Sequence, residues 1–209
     1  MGSCSSGMKR LKPKTILELS HQIGDIKVTG REIQEWYESF RSYLTPGRSV
    51  LTMDDFHRVF SQIFRGDTRT YSQHVFRSFD VNRDGRVDFK EFLVGLYVSG
   101  CNDIRKKLSW AFRVYDVDGN GKISREEMTC VISAILRLFS QRYTFVSPAL
   151  IVDNFFEDAD KNHDGVLDLE EFIEACQKTS VLADILQCDA SASKIITTFS
   201  SVPNFVKCC

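Results

Sequence analysis

An all-α fold built from two pairs of helix–loop–helix units, four in all with the first degenerate, is what the sequence predicts, on three observations. Three twelve-residue segments beginning at Asp80, Asp116 and Asp160 share one order of acidic, amide and glycine positions. Apolar residues recur at helical spacing on both sides of each segment, as in Val75, Phe76, Phe79 before the first and Phe92, Leu96 after it. An aliphatic residue (Val87, Ile123, Leu167) holds the eighth place of all three, where a short strand joining paired loops would bury it. At 209 residues the chain is long enough for one large domain or two small ones with their own cores.

Written out, the segments are DVNRDGRVDFKE, DVDGNGKISREE and DKNHDGVLDLEE, and each fits D-x-[DN]-x-[DN]-G-x5-E, the calcium loop of an EF-hand. Ca²⁺ is a hard cation that takes six to eight oxygens, and such a loop offers them from places 1, 3, 5, 7, 9 and 12. In the first segment these are Asp80, Asn82, Asp84, the Arg86 carbonyl, Asp88 and Glu91. The second offers Asp116, Asp118, Asn120, the Lys122 carbonyl, Ser124 and Glu127, and the third Asp160, Asn162, Asp164, the Val166 carbonyl, Asp168 and Glu171. Glycine at place 6 (Gly85, Gly121, Gly165) permits the sharp turn, and Glu at place 12 supplies two oxygens at once, which favours Ca²⁺ over the smaller Mg²⁺. Three Ca²⁺ ions are therefore expected, with some Mg²⁺ at rest. His163, at place 4 of the last loop, points away from the ion and is expected to face solvent.

The separation of Asp80 and Asp116 is 36 residues, and the same step back from Asp80 reaches Leu44. The segment from Leu44 to Asp55, LTPGRSVLTMDD, keeps an aliphatic residue, Leu51, at place 8 and a carboxylate at place 12. Its ligand places carry Leu44, Pro46 and Arg48, so oxygens are missing and a positive charge stands near the ion's place. No calcium is expected there. The aromatic residues around this hand and the next, Trp36, Tyr37, Phe40, Phe56, Phe60, Phe76, Phe79 and Phe92, read either as ordinary core or as a groove for a partner.

Composition narrows the function classes. Lys+Arg number 27 against 28 Asp+Glu, a net charge of −1, and the basic stripe of a nucleic-acid binder is missing. No apolar stretch reaches the length of a membrane span, and no secretory leader is expected. The seven cysteines are odd in number and lack zinc-type spacing, so reduced thiols are expected rather than a disulfide framework. Arrangements for catalysis, G-x-S-x-G, a P-loop or H-E-x-x-H, do not occur, and an enzyme is not expected.

The ends carry further signals. Gly2 followed by Ser6 satisfies M-G-x-x-x-[ST], the acceptor pattern for N-myristoylation. One acyl chain holds a protein only marginally at a bilayer, and two supplementary signals lie close by: Cys4 for palmitoylation, and Lys9, Arg10, Lys12 and Lys14 for anionic lipid. Four segments follow: 1–23, lipidation and basic cluster; 24–99, a first pair of hands with hand 1 inactive; 100–186, a second pair with hands 3 and 4 active; and 187–209, a tail ending in Cys208 and Cys209.

With Gly2, REIQEWYESF at 31–40, HVFRSFD at 74–80, KLSWAF at 107–112, YDVDGNGKISREEM at 115–128 and ILQCDASAS at 185–193, the chain resembles the neuronal calcium sensor proteins, of visinin-like, hippocalcin and recoverin type. The resemblance spans about residues 1–193 and implies a groove formed mainly by the first pair, and in some members extrusion of the acyl chain when calcium binds. Departures are Leu44-Thr45-Pro46-Gly47 where the family usually has Cys-Pro-x-Gly, and an apolar tail (Ile195, Ile196, Phe199, Val202, Phe205) expected to compete with partners for the groove. The expected function is a calcium sensor in the cytoplasm, peripheral at membranes. It would present its groove to an amphipathic helix of an enzyme, receptor or channel, and its N-terminus to an anionic membrane surface. A soluble calcium buffer and a regulatory subunit of calcineurin B type are the alternatives.

Overall fold

The computed structural model describes residues 11–22, 29–100, 103–138 and 147–178. Gly2, Cys4 and the tail lie outside them. Nine α-helices and one two-stranded sheet are found among the described residues.

The first element, α1 (Pro13–Gln22), falls inside the segment read from sequence only as a lipidation and basic cluster. Proline at the first helical position has a preset φ and no amide to leave unsatisfied, which favours a start there. Leu19, with Leu11 and Ile16 behind it, packs on Ile33, Trp36 and Leu93 in a satellite cluster that borders Phe89 and Tyr97. The helix thus covers one apolar face of the first pair of hands.

Hand 1 comprises α2 (Gly30–Tyr43) and α3 (Met53–Ile63), each opened by a capping box, Thr29 with Glu32 and Thr52 with Asp55. Hand 2 comprises α4 (Arg69–Phe79) and α5 (Phe89–Gly100). The two loops meet at an antiparallel bridge, with reciprocal 2.9 Å hydrogen bonds between the Leu51 and Val87 backbones. Hand 3 runs from α6 (Ile104–Tyr115) through β1 (Ile123–Ser124) to α7 (Arg125–Leu138). Hand 4 runs from α8 (Pro148–Ala159) through β2 (Val166–Leu167) to α9 (Leu169–Lys178), and β1 pairs antiparallel with β2 in the register Ile123 to Leu167. Leu51, Val87, Ile123 and Leu167 are all fully buried, so the eighth place joins loops in pairs, as the sequence predicts.

One hydrophobic cluster runs through both pairs. Its bridge is α4, which packs on α6 and α7 as well as on its own hand, with the Phe79 and Trp110 rings edge to face at 5.8 Å. Gly95 admits the Phe79 ring against α5, where a Cβ would lie 2.2 Å from a ring carbon.

Candidate calcium-binding loops and the disabled first hand

In hands 2, 3 and 4 the first ligand residue, Asp80, Asp116 or Asp160, caps the incoming helix and donates its amide to Phe76, Phe112 or Phe156. Its carboxylate then accepts two amides of the loop. Asp80 takes those of Asp84 (3.1 Å) and Gly85 (2.9 Å), Asp116 those of Asn120 and Gly121 (both 3.0 Å), and Asp160 those of Asp164 (3.2 Å) and Gly165 (3.0 Å). Places 4 and 6 are left-handed in each loop: Arg83 at φ 58°, Gly119 at 70° and His163 at 58°, then Gly85, Gly121 and Gly165 at 76°, 84° and 83°. His163 is exposed, as expected for a place that turns away from the ion.

The last ligand closes the loop. Glu91 accepts the amides of Val81 (3.1 Å) and Asn82 (3.3 Å) on one oxygen and that of Asp88 (3.1 Å) on the other. Glu127 does the same with Val117, Asp118 and Ser124, and Glu171 does so with Lys161 and Asp168. Asp88, Ser124 and Asp168 in turn accept the Glu amide, which makes places 9 and 12 a capping box for the outgoing helix. One glutamate therefore starts a helix and turns an oxygen-rich end toward the loop centre.

The side chains at places 3 and 5 likewise accept loop amides in all three loops. The oxygens that the sequence assigns to places 1, 3, 5, 9 and 12 are thus each tied to loop backbone, and oxygen donors of this kind suit a hard cation. In hand 3, carboxylate oxygens of Asp116, Asp118 and Glu127 lie within 4.8 Å of one another. Carboxylates held this close repel, and an inserted divalent cation relieves that repulsion. These residues fit Ca²⁺, whose positive charge would offset the carboxylate repulsion that the amide hydrogen bonds relieve only in part.

Loops of the second pair also meet through side chains. Lys122 lies 3.1 Å from Asp164, and this contact, after the hydrogen bond from the Val166 amide, holds the Asp164 carboxyl below the usual carboxylate range.

Hand 1 keeps the capping box and the bridge but not the ligands. Asp55 at place 12 is buried, with Arg58 2.7 Å from one oxygen and Arg48 3.9 Å from the other. Thr45 and Thr52 donate hydroxyl hydrogen bonds to the same carboxylate. Burial pushes the Asp55 carboxyl up, but these hydrogen bonds and the Arg58 charge outweigh it and hold it below its ordinary value. The sequence singles out Arg48 as the charge near the ion's place; Arg58, from the first turns of α3, makes the closer contact.

Of the eight residues read as core or groove, Trp36, Phe40, Phe56, Phe60, Phe76, Phe79 and Phe92 are buried, and Tyr37 is half-buried against the main cluster. They are core in this structure. A groove there requires the helices to part, and the Trp36 face is covered by α1.

Loops, paired strands and capped helices of this kind define a class, the EF-hand calcium-binding proteins. Residues 105–177 match the family described as an EF-hand domain pair, and residues 73–96 match the EF hand family. Guanylyl cyclase-activating protein 2 of Lithobates pipiens is 34% identical over 180 residues, covering 83% of this chain and 90% of that protein. The chain belongs to the neuronal calcium sensor family. No helix among the described residues is long and apolar enough to cross a membrane.

Proposed function

We propose that the chain is a calcium sensor that binds three Ca²⁺ ions, at hands 2, 3 and 4, and regulates a target protein according to their occupancy. One observation carries this reading: three loops repeat one hydrogen-bonded ligand scaffold place by place, while the fourth has arginine against its last carboxylate. Mg²⁺ occupies the same loops at rest. The target is an enzyme, and the name of the amphibian relative points to a guanylyl cyclase. The chain itself acts as regulator, not catalyst.

Calcium shifts the population toward parted helices in the first pair, where the aromatic set from Trp36 to Phe92 would receive an amphipathic helix. Gly2 with an acyl chain, Cys4 and the basic residues behind them hold the chain at an anionic membrane surface, facing the cytoplasm. Burial of the aromatic set also favours a second reading, a calcium buffer whose helices barely open.

The test is calorimetric calcium titration, then a cyclase assay on membranes containing a guanylyl cyclase, with the acylated full chain added at chelated and at micromolar calcium. Three bound ions and a calcium-dependent change in cyclic nucleotide output, absent for Glu127→Gln, are expected. Calcium binding with unchanged output and no rise in apolar-dye fluorescence would leave the buffer. Co-sedimentation with anionic liposomes beside Gly2→Ala tests the membrane part, and equal sedimentation of the two proteins refutes it.

A further inference from the structure

Between the loops of hands 2 and 3, where the two pairs of hands meet, lies a cleft of about 450 Å³. Three guanidinium groups line it. Arg77 and Arg83 come from hand 2, and Arg113 comes from α6 of hand 3. Arg83 reaches over Gly119 to donate to the Asp118 carbonyl at 3.0 Å, and Arg77 donates to the Val117 carbonyl at 3.5 Å. Gly119 permits this approach, since a Cβ there would lie 1.2 Å from an Arg83 nitrogen. Arg113 is half-buried and has no hydrogen-bond or ion-pair partner among the described residues, and none of the three arginines is paired with a carboxylate there.

Like charges converging on one concavity repel, and a half-buried guanidinium without an acceptor is poorly solvated. Burial accordingly holds Arg113 below the ordinary arginine range. The carboxylates on the same wall are Asp80 and Asp116, the first ligands of the two loops, whose oxygens accept loop amides. Calcium in those loops would lower the negative charge that Asp80 and Asp116 present to the cleft, so the three guanidiniums would weigh more in its field.

We propose that this cleft is a binding site for a compact oxyanion of the phosphate class, a free phosphate compound or a phospholipid headgroup, and that calcium in hands 2 and 3 strengthens it. Arg113 is the principal ligand, because its donors are free and a planar fork matches a phosphate bidentately. Arg83 and Arg77 add charge from the opposite wall. Coupling between sites is reciprocal, so the oxyanion raises the calcium affinity of the same loops by the factor that calcium raises its own. The calcium dependence rests on the reading that hands 2 and 3 bind Ca²⁺.

The experiment is titration of the full chain with inorganic phosphate up to about 10 mM, followed by phosphorus NMR at constant ionic strength, with calcium and with chelator, beside a direct calcium titration. Saturable binding is expected, weakened at least about fivefold by chelation, the low end of ordinary coupling, and at least about tenfold in Arg113→Gln. Arg83→Gln, at an exposed position, is a second variant expected to weaken phosphate while folding normally. Phosphatidylcholine vesicles with and without phosphatidic acid separate the sources. Sedimentation that needs both the acidic lipid and Arg113 assigns a headgroup, and phosphate binding without it assigns a small molecule. Calcium binding intact with no phosphate bound, or binding unchanged in both variants, would overturn the inference. Absence of calcium binding itself would overturn the sensor reading and the calcium linkage, while phosphate binding lost in Arg113→Gln would still uphold the site.

Discussion

His74 gives the chain an acid-sensitive point at the junction of its two pairs of hands. The side chain is buried on α4, its Nε2 lies 3.7 Å from Cys130 Sγ on α7, and its Nδ1 has no hydrogen-bond partner among the described residues. Burial, with a smaller contribution from the Arg77 charge, pushes its pKa down from 6.5 to about 4. In the unfolded chain the imidazole takes up a proton below about pH 6.5, whereas the folded chain refuses it until about pH 4. Stability is therefore unaffected above the unfolded value and falls as pH drops through the window between the two. Integrating the proton uptake gives a loss of about 2 kcal/mol between about pH 7.5 and pH 5.

The assay is urea denaturation of the wild type and His74→Gln across that range, with calcium chelated in both so that the loop carboxylates contribute equally. The wild type should lose about 2 kcal/mol more than the variant on acidification, an order-of-magnitude figure set by the depth of burial. Superimposable pH profiles would refute the reasoning, because they would mean that His74 finds a partner or water for its proton in the folded state.

Glu171→Gln should weaken calcium at hand 4 at least about tenfold by removing a charge and a bidentate ligand, and should lower hand 3 through β1 and β2 while leaving hand 2 within about twofold; site-resolved calcium titration checks the pattern. Arg58→Leu strips the buried Asp55 of its nearest cation and should destabilise the chain by about 2 kcal/mol in urea without creating a calcium site. Gly95→Ala drives a methyl group into the Phe79 ring and should cost about 1–3 kcal/mol, with a shifted Trp110 emission because that indole rests on the same ring.

Much of this fold is legible because each hand is a local device. Ligand, turn and cap residues lie within twelve positions of one another, and the flanking helices show their inner faces by spacing alone. Places that depend on distant partners are less legible. The trio Arg77, Arg83 and Arg113 comes from two separate stretches, hand 2 and α6, and no periodicity predicts that it faces one cleft. Phe40 and Phe56 illustrate a different limit, since the apolar face that would receive a partner is also the face that fills the core of a closed hand. The helix α1 was within reach of the sequence: Pro13 marks its start, and Ile16 and Leu19 mark its inner face, but the neighbouring basic residues read as a lipid-binding cluster.

Hand 1 explains why a disabled loop persists as structure. Its Thr52–Asp55 capping box starts α3, and Leu51 closes the bridge to Val87, as places 9, 12 and 8 do in the other loops. The part of the loop that would hold an ion is held instead by Arg58 and Arg48, cations that belong to the chain and do not exchange. Hand 2 is therefore paired with a partner of fixed shape, while hands 3 and 4 are paired through β1, β2 and the Lys122–Asp164 contact with each other's ligand-bearing loops. With the proposed occupancy of hands 2, 3 and 4, mutual influence between ions would run within the second pair, or across the molecule from hand 2 to hand 3. The contacts available for the second route include those of Arg83 and Arg77 with the backbone of the hand 3 loop, beside the packing of α4 on α6 and α7.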